Sequence, residues 1–191
     1  MRFARSLDIQ QIERLVDLRR SMPKIAARAI NRTGAKAVTA VVRSLTAQTG
    51  LPRKTIKRAV KSQRASDRQL AFVLKTRGGN INLKFFKARE TGAGVSAAVL
   101  GKRIIVPGTF MKAGRFPNRV RFDSKGRGKG MDGNVFVRKG KRRLPIEGGR
   151  SGVYIPEQML EGQTLAAFDT LVVSDLPVQL ERAIGESLRG F

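Results

Sequence analysis

Cysteine, histidine and tryptophan are absent from the 191 residues, and tyrosine occurs once. Without cysteine there is no disulfide framework and no thiolate nucleophile. The loss of both histidine and cysteine removes the usual general base and the common transition-metal ligands. Ser–Lys or carboxylate chemistry stays open in principle. Yet the 14 Asp and Glu residues are scattered, with no Asp-x-Asp or Glu-x-x-Glu pair to hold Mg²⁺ or Ca²⁺. With Tyr154 alone beside the phenylalanines, an aromatic platform for stacking bases is not expected. Phe72, Phe85, Phe86, Phe110 and Phe136 fall in strand-like stretches, where core packing accounts for them. No apolar run approaches the about 20 residues that span a bilayer. The opening Met1-Arg2-Phe3-Ala4-Arg5 turns polar at once, unlike a secretory leader. These absences point to a non-enzymatic chain with no cofactor, no metal and no membrane partner, made in the cytoplasm.

What the chain has in excess is positive charge: 39 Lys and Arg against 14 Asp and Glu, a net of +25. Self-repulsion of that size disfavours a compact state unless counter-ions or an anionic partner offset it. The charge is uneven. Residues 1–150 hold 37 basic and 8 acidic side chains, whereas 151–191 hold 2 basic and 6 acidic ones. The acidic tail either folds back on its own body or docks on the body of the next subunit, as head-to-tail rings require.

Periodicity predicts a first helix over 8–22, with Asp8 and Gln11 in a capping arrangement and Pro23 ending it. A long Ala-rich helix over 23–48 follows, with Ile30, Ala37, Val38, Val41 and Leu45 on its apolar stripe. Lys24, Arg28, Arg32 and Lys36 recur at steps of four, with Arg43 seven further on, so the cations share a face. Like charges at that spacing cost a few tenths of a kcal/mol per pair, about 0.2–0.5. The face is either a solvated surface or one apposed to phosphate or an acidic partner. After Gly50 a short basic helix over 52–61 is expected, anchored by Leu51, Ile56 and Val60 and carrying Arg53, Lys54, Lys57 and Arg58. The segment 37–61 has the outline of a helix-turn-helix, which leaves a sequence-specific or nucleoid-type DNA-binding protein as the alternative reading.

From Gln69 the period changes to two: Leu70, Phe72 and Leu74 alternate with more polar neighbours. Further strands are expected at 81–86, 94–100, 103–106 and 134–138, punctuated by glycines. Residues 111–133 read as a long flexible loop, apolar-poor and rich in cations (Lys112, Arg115, Arg119, Arg121, Lys125, Arg127, Lys129). Its Gly-Arg-Gly-Lys-Gly core lacks the spacing of a P-loop. A second basic knot, Lys139, Lys141, Arg142 and Arg143, follows. In the tail, Pro177 is expected to interrupt a helix, and Leu180, Ile184 and Leu188 mark a last amphipathic segment suited to packing on the core or to a subunit contact. The fold class is therefore α+β in a single domain: helical over 1–66, an antiparallel β-sheet with its basic loop over 67–150, and an acidic helical tail over 151–191.

Several short motifs run in a fixed order along the chain. Ala29-Ile30-Asn31-Arg32-Thr33 precedes Asn82-Leu83-Lys84-Phe85-Phe86-Lys87-Ala88-Arg89, Gly94-Val95-Ser96 and Gly101-Lys102-Arg103. Ile105-Val106-Pro107-Gly108-Thr109-Phe110, Asn134-Val135-Phe136-Val137-Arg138-Lys139-Gly140, Arg143-Leu144-Pro145-Ile146 and Val153-Tyr154-Ile155-Pro156 follow. Over roughly residues 25–160 this order resembles the phage minor tail protein Z family, the tail-completion proteins of long-tailed bacteriophages. The resemblance implies a structural role at the head-proximal end of the virion tail, where tail joins head. It also implies a ring of copies of the chain around a channel that viral double-stranded DNA traverses, in contact with other tail and neck proteins. No catalytic residues come with it. Lys24, Arg28, Arg32, Lys36, Arg43, Arg53, Lys54, Lys57, Arg58, Arg115, Arg119, Arg121, Arg127, Lys129, Lys139, Lys141, Arg142 and Arg143 are the candidates for polyanion or partner contact.

Overall fold

The structure, a computed structural model, describes residues 9–120 and 133–189, with the backbone alone at 9–15 and 119–120. Two helices lead: α1 (Ile9–Thr49) and α2 (Arg53–Ala59). The middle holds β1 (Val60–Gln63), β2 (Val73–Thr76), a 3₁₀ turn at Leu83–Phe85, β3 (Arg89–Thr91), β4 (Gly94–Val99) and β5 (Lys102–Pro107). Then come β6 (Thr109–Phe110), β7 (Ala113–Gly114), β8 (Arg119–Val120), β9 (Phe136–Arg138) and β10 (Ile146–Gly148). Helices α3 (Ile155–Met159) and α4 (Gly162–Arg189) end the chain, so the α+β order expected from periodicity is the one observed.

The two expected proline breaks are absent. α1 runs for 41 residues through Pro23, and α4 for 28 through Pro177. A proline inside a helix loses a backbone bond and crowds the carbonyl four residues back, at about 3 kcal/mol. For Pro23, packing on both sides offsets that cost. Leu18 before it and Ile25 and Ala29 after it join one apolar cluster with Leu180, Ala183 and Ile184 of α4. The Ser21 hydroxyl also donates to the Leu18 carbonyl at 2.9 Å, one turn before the ring. At Pro177 the carbonyl left without its partner belongs to Val173, which is 75% exposed, so water can replace the lost bond.

Two compact units divide the chain: Met1–Ala40, Lys61–Lys75 and Ala166–Phe191 form one, and Val41–Val60 with Thr76–Leu165 the other. In the first, the α1–α4 cluster is the core. Asn31 pins the segment after β1 to α1, its amide donating to the Ala65 carbonyl and its carbonyl accepting from the Ala65 N–H, both at 2.9 Å. Gly34 lets the Phe72 ring lie directly on the helix backbone, and a Cβ there would overlap that ring.

In the second unit α1 ends at Gly50, whose φ of 76° turns the chain while its N–H returns to the Thr46 carbonyl at 3.1 Å. Leu51 and Ile56, both buried, seat α2. β3, β4 and β5 form an antiparallel sheet, and β10, β9 and β6 another. Expected strands at 94–100, 103–106 and 134–138 appear as β4, β5 and β9. The one expected at 81–86 is instead a 3₁₀ turn: Asn82 accepts from the Lys84 N–H at 3.0 Å, and the buried residues, Leu83 and Phe86, are three apart rather than two. The expected 111–133 loop is structured at its start, where β7 and β8 pair, and its stretch 121–132 lies outside the described residues. Gln48 ties this unit together. Its amide donates to the Gln158 carbonyl at 3.1 Å, and its Oε1 accepts from the Thr164 N–H and hydroxyl at 3.2 and 2.8 Å, capping the first turn of α4 from outside the helix.

Helix propensity favours Ala over Gly by about 1 kcal/mol. At Gly34 the overlap with Phe72 outweighs it, since overpacking costs about 1–3 kcal/mol. Gly34→Ala is therefore expected to lower the melting temperature, and Phe72→Leu added to it to recover part of the loss. Calorimetry of the single and double variants checks this; a stabilised Gly34→Ala would rule out the close approach of the ring.

Candidate polyanion and partner interface

The α1 cations divide into paired and unpaired groups. Arg32 reaches Glu186 of α4 with both terminal nitrogens, at 3.3 and 3.1 Å. Lys36 donates to Asp175, whose second oxygen accepts from the Thr33 hydroxyl at 2.9 Å and which also accepts from Gln179 at 3.2 Å. Asp175 and Glu186 are eleven residues apart, about three helical turns, so one face of α4 presents both. Lys24, Arg28 and Arg43 are exposed without a direct ionic partner among the described residues, although Arg28 adds to the field at Glu186. Of the two roles open to the acidic tail, folding back on its own body is thus realised by these two carboxylates.

Leu180 and Ile184, expected as a subunit contact, are part-buried in the chain's own cluster with Ile25, Ala29 and Ala183. Of the two packings open to this segment, core or neighbour, their side chains take the first, because they share the face that carries Ala183. Leu188 alone of the three stands open, 56% exposed.

In the second unit, Arg53, Lys54, Lys57 and Arg58 share one broad face of α2, all exposed and none with an ionic partner among the described residues, while Ile56 holds the helix from the other side. Arg115 and Arg138 line a cleft of about 550 Å³ together with Thr91, Gly94, Thr109 and Phe110. Arg138 lies over the Phe110 ring, 5.1 Å from its centroid, and donates to the Arg143 carbonyl at 2.6 Å. That stacking holds the guanidinium in place. In the basic knot Lys139 pairs with Glu147 at 2.8 Å, and this hydrogen bond holds its ammonium above the ordinary lysine value. Lys141, Arg142 and Arg143 are exposed. The side chain of Arg119 and all of Arg121, Arg127 and Lys129 lie outside the described residues. Sequence reasoning missed Asp175, Glu186 and Asn31 as positioning groups; the eleven-residue spacing was the available signal for the first two.

Among the described residues no group of three acidic, His or Cys side chains is placed to hold a metal ion, and no helix is long and apolar enough to cross a membrane. What the arrangement supplies is a set of fixed cations on short, well-seated elements, some neutralised internally and others open: the makings of a structural contact protein. The family comparison agrees. The model of prophage minor tail protein Z (GPZ) matches residues 7–191, and the chain belongs to that family. No curated protein and no solved structure matches it. Membership makes the chain a structural component of a phage tail and a partner of other tail proteins.

The α1–α4 pairs carry a pH dependence. The Lys36 hydrogen bond, opposed by partial desolvation and helped by Thr33 and Gln179, holds Asp175 below the ordinary 3.8. The Arg32 hydrogen bond does the same for Glu186 against the ordinary 4.5. Depressed native values mean that the unfolded chain takes up protons first. The contribution is complete above the ordinary values and is lost as pH falls through the native ones. Asp175→Asn with Glu186→Gln is expected to be less stable than the parent at pH about 7 and to lose less stability between pH about 5 and 3. Denaturant titrations at all three pH values check this; parallel pH profiles would show the pairs contribute nothing.

Proposed function

We propose that this protein completes the phage tail at its head-proximal end, as one subunit of a ring around the DNA passage, and joins tail to head by contact rather than catalysis. The observation that carries the reading is the set of exposed, ionically unpaired cations on α2, on a chain of net charge +25 that belongs to a tail-protein family. Attraction of Lys and Arg to phosphate is independent of sequence and sensitive to salt, which suits a conduit that DNA must traverse without being held. The internal pairing of Arg32 and Lys36 reduces the grip further by neutralising two cations that remain on the surface. On this reading Lys24, Arg28, Arg43, Arg115, Lys141, Arg142 and Arg143 divide between DNA and neighbouring proteins. Leu188 contacts the next copy together with the tail carboxylates Asp169 and Glu181, which have no ionic partner among the described residues.

The alternative, a DNA-binding protein that uses residues 37–61, has one observation in its favour: α1 and α2 are joined by the three-residue turn Gly50-Leu51-Pro52. Against it, α2 has only 7 residues and runs straight into β1, too little helix to lay along a major groove.

Cryo-electron microscopy of the virion tests the proposal. Density for this chain is expected as a ring at the tail–head junction, with α2 toward the lumen. Density at the distal tip, or absence of the chain from the finished particle, would overturn it.

A further inference from the structure

β5 is an edge strand, with no strand paired on its outer side among the described residues. It is the last strand of the β3-β4-β5 sheet, and five of its six residues are exposed. Ile104 and Ile105, pointing to opposite faces, are 42% and 52% exposed. An unpaired edge with branched aliphatic residues on both faces is a template for another strand.

The phase of its hydrogen bonding follows from the turn. Val99 and Lys102 flank a two-residue loop, Leu100-Gly101, with φ of 51° and 75°, the signature of a type I′ hairpin. In such a hairpin the flanking pair is hydrogen-bonded and the pattern alternates from there. Ile104 then bonds inward to Ala97, while Arg103 and Ile105 direct their N–H and C=O groups outward. Ala98, the partner of Arg103, confirms the phase: its N–H turns away from β5 to the Phe86 carbonyl at 2.8 Å. Among the described residues no backbone group pairs with Arg103 or Ile105 from outside.

We propose that β5 is a homotypic interface, in which the β5 strands of two copies pair antiparallel about a two-fold axis at Ile104. Opposed residues in an antiparallel pair must share the same phase, so few registers are open. Centred on Ile104, Arg103 exchanges hydrogen bonds with Ile105 of the second copy, Lys102 faces Val106, and Ile104 meets itself at a closely spaced, non-hydrogen-bonded position. No cation faces a cation. Centred on Arg103, two guanidinium groups would oppose each other. Centred on Ile105, Arg103 would face Pro107, which has no N–H to give. The sequence Lys102-Arg103-Ile104-Ile105-Val106-Pro107 is thus self-complementary in one register, and the proline closes the pairing. A two-fold contact joins copies in pairs and cannot itself generate a ring, so this interface is additional to any head-to-tail contact and does not depend on the ring reading. With each copy at +25, added salt should strengthen the pairing by screening, the Debye length being about 10 Å at 0.1 M.

Because the chain has no native cysteine, single replacements read the register directly. Ile104→Cys is expected to oxidise to a disulfide-linked dimer, as directly opposed non-hydrogen-bonded Cα atoms lie about 4.5 Å apart, within disulfide reach. Lys102→Cys and Val106→Cys should each stay monomeric when oxidised alone, their copies being roughly 13 Å apart at about 3.4 Å per residue. Mixed together they should link one to the other. Ile105→Pro in the Ile104→Cys background removes an outward N–H and should suppress the cross-link, while circular dichroism confirms that the chain is folded. Equal cross-linking at 102, 104 and 106, or none at 104 at any salt concentration, would overturn the proposal.

Discussion

With 39 cations and only 14 carboxylates, the chain's few anions must be placed where repulsion would otherwise be worst. On α1 four cations recur one turn apart, and each neighbouring pair works against the helix. Glu186 and Asp175 of α4 meet the last two of them, Arg32 and Lys36, beside the apolar cluster that joins the same helices. Exposed ion pairs are individually weak. Their value here lies in position, since they relieve like-charge strain on the helix whose packing also carries it past Pro23. A proline in the middle of a long helix is tolerable because Leu18 on one side and Ile25 and Ala29 on the other are held by a second helix.

Much of this was legible in the sequence, and the failures have a common cause. Strands β4, β5 and β9 followed from strand-like runs punctuated by glycines, and α2 from its apolar anchors around Gly50 and Pro52. The two helix breaks at Pro23 and Pro177 were expected because proline is a local signal, whereas the packing that overrides it at Pro23 comes from residues more than 150 positions away. The stretch 81–86 failed for the opposite reason. Its Phe85-Phe86 pair suggested a strand, but Asn82 captures the Lys84 N–H and turns the chain before any strand partner is reached.

The candidate site was half visible. Composition identified every cation, but not which of them have partners, because pairing depends on the face of α4 that packs on α1. Leu180 and Ile184 illustrate the limit: an amphipathic pattern shows that a face is buried, not by what. The family resemblance drawn from motif order holds for nearly the whole chain, residues 7–191. It fixes the tail as the setting, and the residues then suggest a division of labour. The α1 cations Arg32 and Lys36 are paired within the fold, while those on α2 are exposed and, on the proposed reading, meet phosphate.

That division is tested most directly by the salt dependence of binding to double-stranded DNA. Two sets of neutralising variants would be compared: Arg53, Lys54, Lys57 and Arg58 to glutamine, and Arg32 and Lys36 to glutamine together with Asp175→Asn and Glu186→Gln. The slope of log affinity against log salt should flatten in the first set by about 0.9 for each phosphate no longer neutralised. In the second it should be unchanged. A slope that flattened only in the second set would contradict the account, because the cations assigned to the fold would then be the ones that meet DNA.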